Sequence, residues 1–121
     1  MGKTYFIDVD GTIAKYLTYE QLDMLARDLN NSLDVKEILL PGVKELWKTF
    51  KPDDKIIITT ARYERHRAIT AKLLNDNGLR YDMLLMDLPN GPRVLINDVP
   101  SKNSKVKKAI AINVERNKGF I

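Results

Sequence analysis

Two carboxylates, Asp8 and Asp10, stand one residue apart, directly after the apolar run Tyr5-Phe6-Ile7 and just before Gly11-Thr12. Side chains on a strand alternate between its faces, so Asp8 and Asp10 point the same way and can share one cation or one phosphate. The glycine after them lets the chain turn away sharply. Three more apolar runs also end in polar residues. Ile56-Ile57-Ile58 leads to Thr59 and Thr60, Met83-Leu84-Leu85-Met86 to Asp87, and Val94-Leu95-Ile96 to Asn97 and Asp98. Carboxylates, hydroxyls and an amide make a donor set suited to a divalent cation and a phosphoryl group. An acidic pair alone is common on protein surfaces; the agreement among strand ends is what points to an active site.

Those ends meet only if the runs are strands of one parallel sheet, and the stretches between them read as helices. The spacing of Leu22, Leu25, Ala26 and Leu29 predicts an amphipathic helix over 19–30. Asn30-Asn31-Ser32 ends it; the same triplet matches a glycosylation acceptor and is read as a loop. Pro41-Gly42 opens a second helix with the apolar stripe Val43, Leu46, Trp47 and Phe50. Residues 64–77 form a third, with Gly78 as its left-handed cap. Lys55–Thr60, bounded by Pro52-Asp53-Asp54, is a buried strand. Residues 83–86 and 94–96 are short strands separated by the turn residues Pro89-Asn90-Gly91-Pro92. Ser101 caps a short lysine-rich helix, and residues 109–112 read as a last strand. The expected fold is α/β, a three-layer Rossmann-like parallel sheet flanked by helices. Its ligand binds beyond the carboxyl ends of the strands, near the switch in strand order.

The segment Asp8-Val9-Asp10-Gly11-Thr12 resembles the first motif of the haloacid-dehalogenase-like (HAD) phosphatases. The resemblance implies that Asp8 is a nucleophile and Asp10 a general acid/base. Ile57-Ile58-Thr59-Thr60-Ala61-Arg62 resembles the second motif, which implies phosphate binding by Thr60, Ala61 and Arg62 through the Thr60 hydroxyl and the next backbone N–H. Leu95-Ile96-Asn97-Asp98 resembles the fourth, which implies a Mg²⁺ site made by Asp8, the backbone carbonyl of Asp10, and Asp98. Asn97 replaces the first acid of the common acidic pair. The family usually places a lysine near the site in its third motif; Asp87-Leu88-Pro89 stands there instead, and Arg93, Arg62 and Lys102 are the basic residues that could replace it. The resemblance covers most of the chain and is closest to small uncapped members, among them polynucleotide 3′-phosphatase domains and capsule-synthesis sugar-phosphate phosphatases. It implies one domain over residues 1–121 with a one-helix insertion at 13–40, too short for a full cap.

The resemblance implies Mg²⁺-dependent hydrolysis of a phosphomonoester through an aspartyl-phosphate. The substrate is a small phosphorylated molecule or a polynucleotide end, and neighbours in a homo-oligomer could cover the open entrance. Two other classes compete. A phosphate- or nucleic-acid-binding protein on the same fold, without catalysis, would fit the missing lysine and Asn97. A phospho-accepting receiver domain would need its acceptor Asp mid-chain and a lysine after a late strand; here the threonine comes too early and no lysine ends the last strand.

Composition narrows the setting. The chain of 121 residues lacks cysteine, which excludes disulfides, zinc–thiolate sites and thiol nucleophiles and makes the cytoplasm the expected compartment. No apolar run approaches the ~20 residues of a bilayer span. The N-terminus runs straight into a strand, so no signal peptide is expected. The net charge of +4 gathers in residues 99–121, which hold six Lys/Arg against one acid. Such a tail could track a polyanion, but no aromatic residues are interleaved through it as a stacking platform, and a solvated basic helix is the simpler reading. His66, among Arg62, Arg65 and Arg67, reads as part of an exposed helix face. Tyr16 and Tyr19 either stack on a base or sugar or serve as buried or subunit contacts. Trp47 is core.

Overall fold

In the computed structural model, residues 1–27, 35–102 and 105–120 are described. The apolar run before Thr59 suits a strand covered on both faces. It forms β2 (Lys55–Thr59), the middle of a three-stranded parallel sheet with β1 (Thr4–Asp8) on one side and β3 (Met83–Leu85) on the other. Ile56 and Ile58 are fully buried, each contributing roughly 1.5–3 kcal/mol by leaving water. The register sets Asp8 opposite Thr59 and Thr59 opposite Leu85, so the carboxyl ends of the strands lie level.

Helix α1 (Tyr19–Arg27) and helix α2 (Val43–Lys48) separate β1 from β2. A 3-10 turn, Glu64–His66, runs into α3 (Arg67–Asp76) before β3. Two apolar clusters hold these layers. The larger joins Ile7, Val9, Ile13, Val43, Trp47, Ile56, Ile58 and Leu74; the smaller packs Leu22 of α1 and Ile69 of α3 with Leu17 and Val35. Gly78 stops α3 in the left-handed conformation (φ 66°) and Leu79 N–H donates back to the Leu74 carbonyl at 2.9 Å. The expected end of α1, with Leu29, and the Asn30–Ser32 loop lie outside the described residues.

Two expected strands are not formed. Residues 94–96 and 109–112 have no regular structure, and Val94 and Ile96 are 79% and 87% exposed. For residues 94–96 the physical reason lies in the connection. Residues 86–93 include Pro89, Gly91 and Pro92 and leave no room for the crossover helix that usually returns a chain to a parallel sheet. β-branched residues without a strand beside them make no ladder. The lysine-rich helix expected after Ser101 is also not formed among the described residues, and residues 103–104 lie outside them.

The far C-terminal segment is used differently. Phe120 N–H donates to the Pro41 carbonyl at 2.8 Å, and a Cβ on Gly42 (φ 79°) would overlap the Phe120 carbonyl oxygen. The tail is thereby fixed against the start of α2. No helix among the described residues is long and apolar enough to cross a membrane.

Candidate active site

Asp8 ends β1, and the chain folds back at once. The Val9 carbonyl accepts the N–H groups of Thr12, Ile13 and Ala14 at 3.1, 2.9 and 3.1 Å. Gly11 makes this turn possible with φ 86°, a conformation that costs other residues a clash at Cβ. The Thr12 hydroxyl donates to Asp8 Oδ2 at 3.2 Å. Asp8 sits at the surface, yet surrounding atoms strip part of its hydration and so raise its carboxyl pKa above the ordinary value. The like charge of Asp10 acts in the same direction; the Thr12 and Val9 hydrogen bonds and the charge of Arg93 act against it.

Asp10 has a partner from 52 residues away. Arg62 Nε and Nη2 donate to its two oxygens at 3.0 and 2.9 Å, a bidentate fork. The rest of the guanidinium donates to Glu37 at 2.8 and 2.9 Å and to the Thr70 hydroxyl at 3.0 Å. All five N–H donors are therefore engaged, and Arg62 is only 1% exposed. Burial alone would pull its pKa down; the hydrogen bonds to Glu37 and Asp10 reverse this and push it up. Glu37 reaches the site because residues 38–40 lie along residues 13–15, with Lys15 N–H on the Ile38 carbonyl at 2.8 Å and Leu40 N–H on the Ile13 carbonyl at 2.9 Å. Sequence reasoning missed Glu37, and nothing in its neighbourhood of the sequence marks it.

Thr60 comes directly after β2 and is buried; its hydroxyl accepts the Arg62 N–H at 3.0 Å. Among the described residues the Ala61 N–H has no hydrogen-bond partner, whereas the Ala61 carbonyl accepts the Tyr19 hydroxyl at 3.1 Å. Tyr19 stacks on Tyr63 with ring centroids 4.4 Å apart, and the Arg65 guanidinium caps Tyr63 at 4.6 Å. Burial first, then Tyr63 and Tyr16, and also the charge of Asp10, raise the pKa of the Tyr19 hydroxyl.

His66 is fully buried rather than exposed. Its Nδ1 accepts the Tyr63 N–H at 3.2 Å, which leaves Nε2 to meet Asp23 of α1 at 2.6 Å. Arg65 also donates to Asp23, and hydrogen bonds from Arg65 and then His66 hold that carboxyl well below the usual range. The expectation of an exposed face failed because α1 packs on the start of α3, a contact between distant segments. An open hollow of about 420 Å³ lies beside this pair, lined by Glu20, Asp23, Ala26, Arg27 and Arg65; none of the candidate catalytic groups lines it.

The strand ends thus bring Asp8, Asp10, Thr60, Ala61 and Arg62 into one neighbourhood. Asp98 is not gathered with them: its side chain is 75% exposed, with Lys108 Nζ 4.0 Å away. Among the described residues no three His, Cys, Asp or Glu side chains form a metal-holding group. Hard-oxygen chemistry is present at Asp8, while both Asp10 carboxylate oxygens are taken by Arg62. Of the three basic candidates for the missing lysine, Arg93 has its charge felt by Asp8, although its guanidinium also donates to the Pro89 and Gly91 carbonyls, both at 2.7 Å. Arg62 is committed to Asp10 and Glu37, and Lys102 is exposed in the irregular segment.

A group that sequence reasoning did not find comes from the tail. Asn117 N–H donates to the Gly11 carbonyl at 2.9 Å, and its Oδ1 accepts the Tyr16 N–H at 2.8 Å. Arg116 lies over the Tyr16 ring at 4.7 Å, and its Cγ would come within 2.9 Å of a Cβ on Gly11. Comparison of the chain with models of known families, with curated proteins and with solved structures found no match.

Proposed function

We propose that this chain is a Mg²⁺-dependent phosphomonoesterase of the HAD-like type, its three strands being the centre of a Rossmann-like sheet. The observation that carries the reading is the pairing of roles at the end of β1. Asp8 offers a partly dehydrated carboxylate oxygen, while Asp10 beside it is locked in place by a buried guanidinium. Losing hydration makes an anionic nucleophile more reactive, and locking its neighbour fixes the geometry of proton transfer.

The chemistry then runs in two displacements. Asp8 attacks phosphorus in line, forming an aspartyl-phosphate as the bond from phosphorus to the ester oxygen breaks. Asp10 gives a proton to the departing alkoxide. Arg62 takes only one lone pair from each Asp10 oxygen, so each oxygen keeps another for that proton. Asp10 next takes a proton from water, which attacks phosphorus and releases phosphate and free Asp8. The Ala61 N–H and the Thr60 hydroxyl are the donors for the phosphoryl oxygens. Asp8 and the Asp10 carbonyl would hold Mg²⁺; Asp98, the further ligand that the motif resemblance assigns, stands apart and exposed in this structure. Such an ion supplies neutralisation of charge on the transferring group. The absence of cysteine agrees with action in the cytoplasm.

The test is phosphate release from an aryl phosphate, sugar phosphates, nucleotides and end-phosphorylated oligonucleotides, with and without Mg²⁺. Release should depend on the metal and vanish in Asp8→Ala. Turnover surviving in that variant would remove Asp8 from the nucleophile's role. No release from any substrate would favour the second reading, a phosphate-binding protein without catalysis, to which the irregular placement of Asp98 also lends weight.

A further inference from the structure

Three tyrosines lie near the candidate site, Tyr16 linked to the Gly11 turn through Asn117 and Tyr19 with Tyr63 beside Ala61, and more than a third of each stays in water. Tyr16, Tyr19 and Tyr63 are 39%, 37% and 38% exposed. Tyr19 is pinned by its hydroxyl to the Ala61 carbonyl and by its stack on Tyr63. Tyr63 is capped by Arg65, itself held by Asp23 at 2.9 Å. The backbone N–H of Tyr16 donates to Asn117, and its ring is covered by Arg116. A side chain that is both exposed and immobilised has already lost the entropy that binding would otherwise cost. Flat π faces alternating with guanidinium planes are the surface on which nucleobases stack. The stack also lies next to the reacting groups, since Tyr19 touches Ala61 and feels the charge of Asp10.

We infer that Tyr16, Tyr19 and Tyr63, with Arg65 and Arg116, form a platform for the planar base of a nucleotide whose phosphate lies at Asp8. This rests on the phosphomonoesterase reading for the position of the phosphate, and it names the substrate class: a base-bearing phosphate ester, free or at a strand end, rather than a sugar phosphate.

The experiment measures binding by calorimetry to the Asp8→Asn protein, which keeps the turn and removes the nucleophile. The probes are nucleoside monophosphates, ribose 5-phosphate and a short oligonucleotide bearing a terminal phosphate. Nucleotides should bind on the order of tenfold or more tighter than ribose 5-phosphate, the worth of one stacked base. Tyr19→Leu should shrink that ratio to about twofold or less, whereas Tyr19→Phe, which keeps the ring, should retain it. A mononucleotide matching the oligonucleotide points to free nucleotides and a weaker one to strand ends; both support the platform. Equal binding of ribose 5-phosphate and nucleotide, or a ratio unmoved in Tyr19→Leu, overturns it. Should Tyr19→Leu not fold, the ligand comparison in Asp8→Asn decides alone. Base-dependent binding without wild-type turnover would keep the platform and remove the phosphatase. Turnover indifferent to the base would do the reverse.

Discussion

Asp8 and Arg62, each a neighbour of Asp10, face opposite physics. Asp8 is left partly dehydrated, so its ionised form costs the folded state something. Because its folded pKa is raised above 3.8, that cost is absent below the unfolded value and appears as pH rises through the folded one. Asp8→Asn should therefore unfold at a higher temperature than wild type near neutral pH, with the gap closing below about pH 3.8. Thermal melts across that range check it, and equal midpoints at neutral pH would contradict the dehydration argument. Arg62 is instead buried and fully paired. Arg62→Met would leave Asp10 and Glu37 facing one another without a cation, their side chains only 14% and 15% exposed. A loss of about 3–5 kcal/mol in urea unfolding is expected, since the cost of a broken buried pair is the charge left behind.

At the scale of elements, the decisive features are contacts between segments far apart in sequence. Helix α1 is bound to the start of α3 by Asp23 with His66 and Arg65, and this is what buries a histidine that local pattern places outside. The start of α2 and the tail interlock through two glycines, Gly42 and Gly119, the second close against the Pro41 carbonyl. Gly42→Ala would place a Cβ on the Phe120 carbonyl and hold a non-glycine residue at φ 79°. It should cost roughly 2 kcal/mol or more. The same change should loosen the tail that carries Asn117 to the Gly11 turn, visible as shifted amide resonances at Gly11 and Tyr16 in a heteronuclear NMR spectrum. Unchanged stability would mean that the tail is not fastened there.

Across the whole molecule, regular structure is concentrated in the sheet and its helices, and residues 94–96 and 109–112 have none. Hydrogen exchange should find the slowest amides in β2, at Ile56 and Ile58, and fast exchange at 94–96; strong protection at 94–96 would show that a fourth strand forms after all. The sequence by itself determined the elements whose signal is local. The apolar runs that became β1, β2 and β3, the Pro41-Gly42 opening of α2 and the Gly78 stop of α3 all needed only period, turn chemistry and left-handed glycine. It also placed Asp8, Asp10 and Thr60 at strand ends, because strand direction in a parallel sheet is set by the order of elements. Runs at 94–96 and 109–112 carry the same local signal and did not become strands, since a ladder requires a neighbour and sequence pattern does not supply one. Only the tertiary structure decided that Arg62 clasps Asp10 and Glu37, that His66 is buried on Asp23, and that Tyr19 stacks on Tyr63 beside Ala61. Each of these depends on charges or rings brought together from tens of residues apart. Pairing of that kind is fixed by packing of whole elements, and a local window of sequence does not contain it.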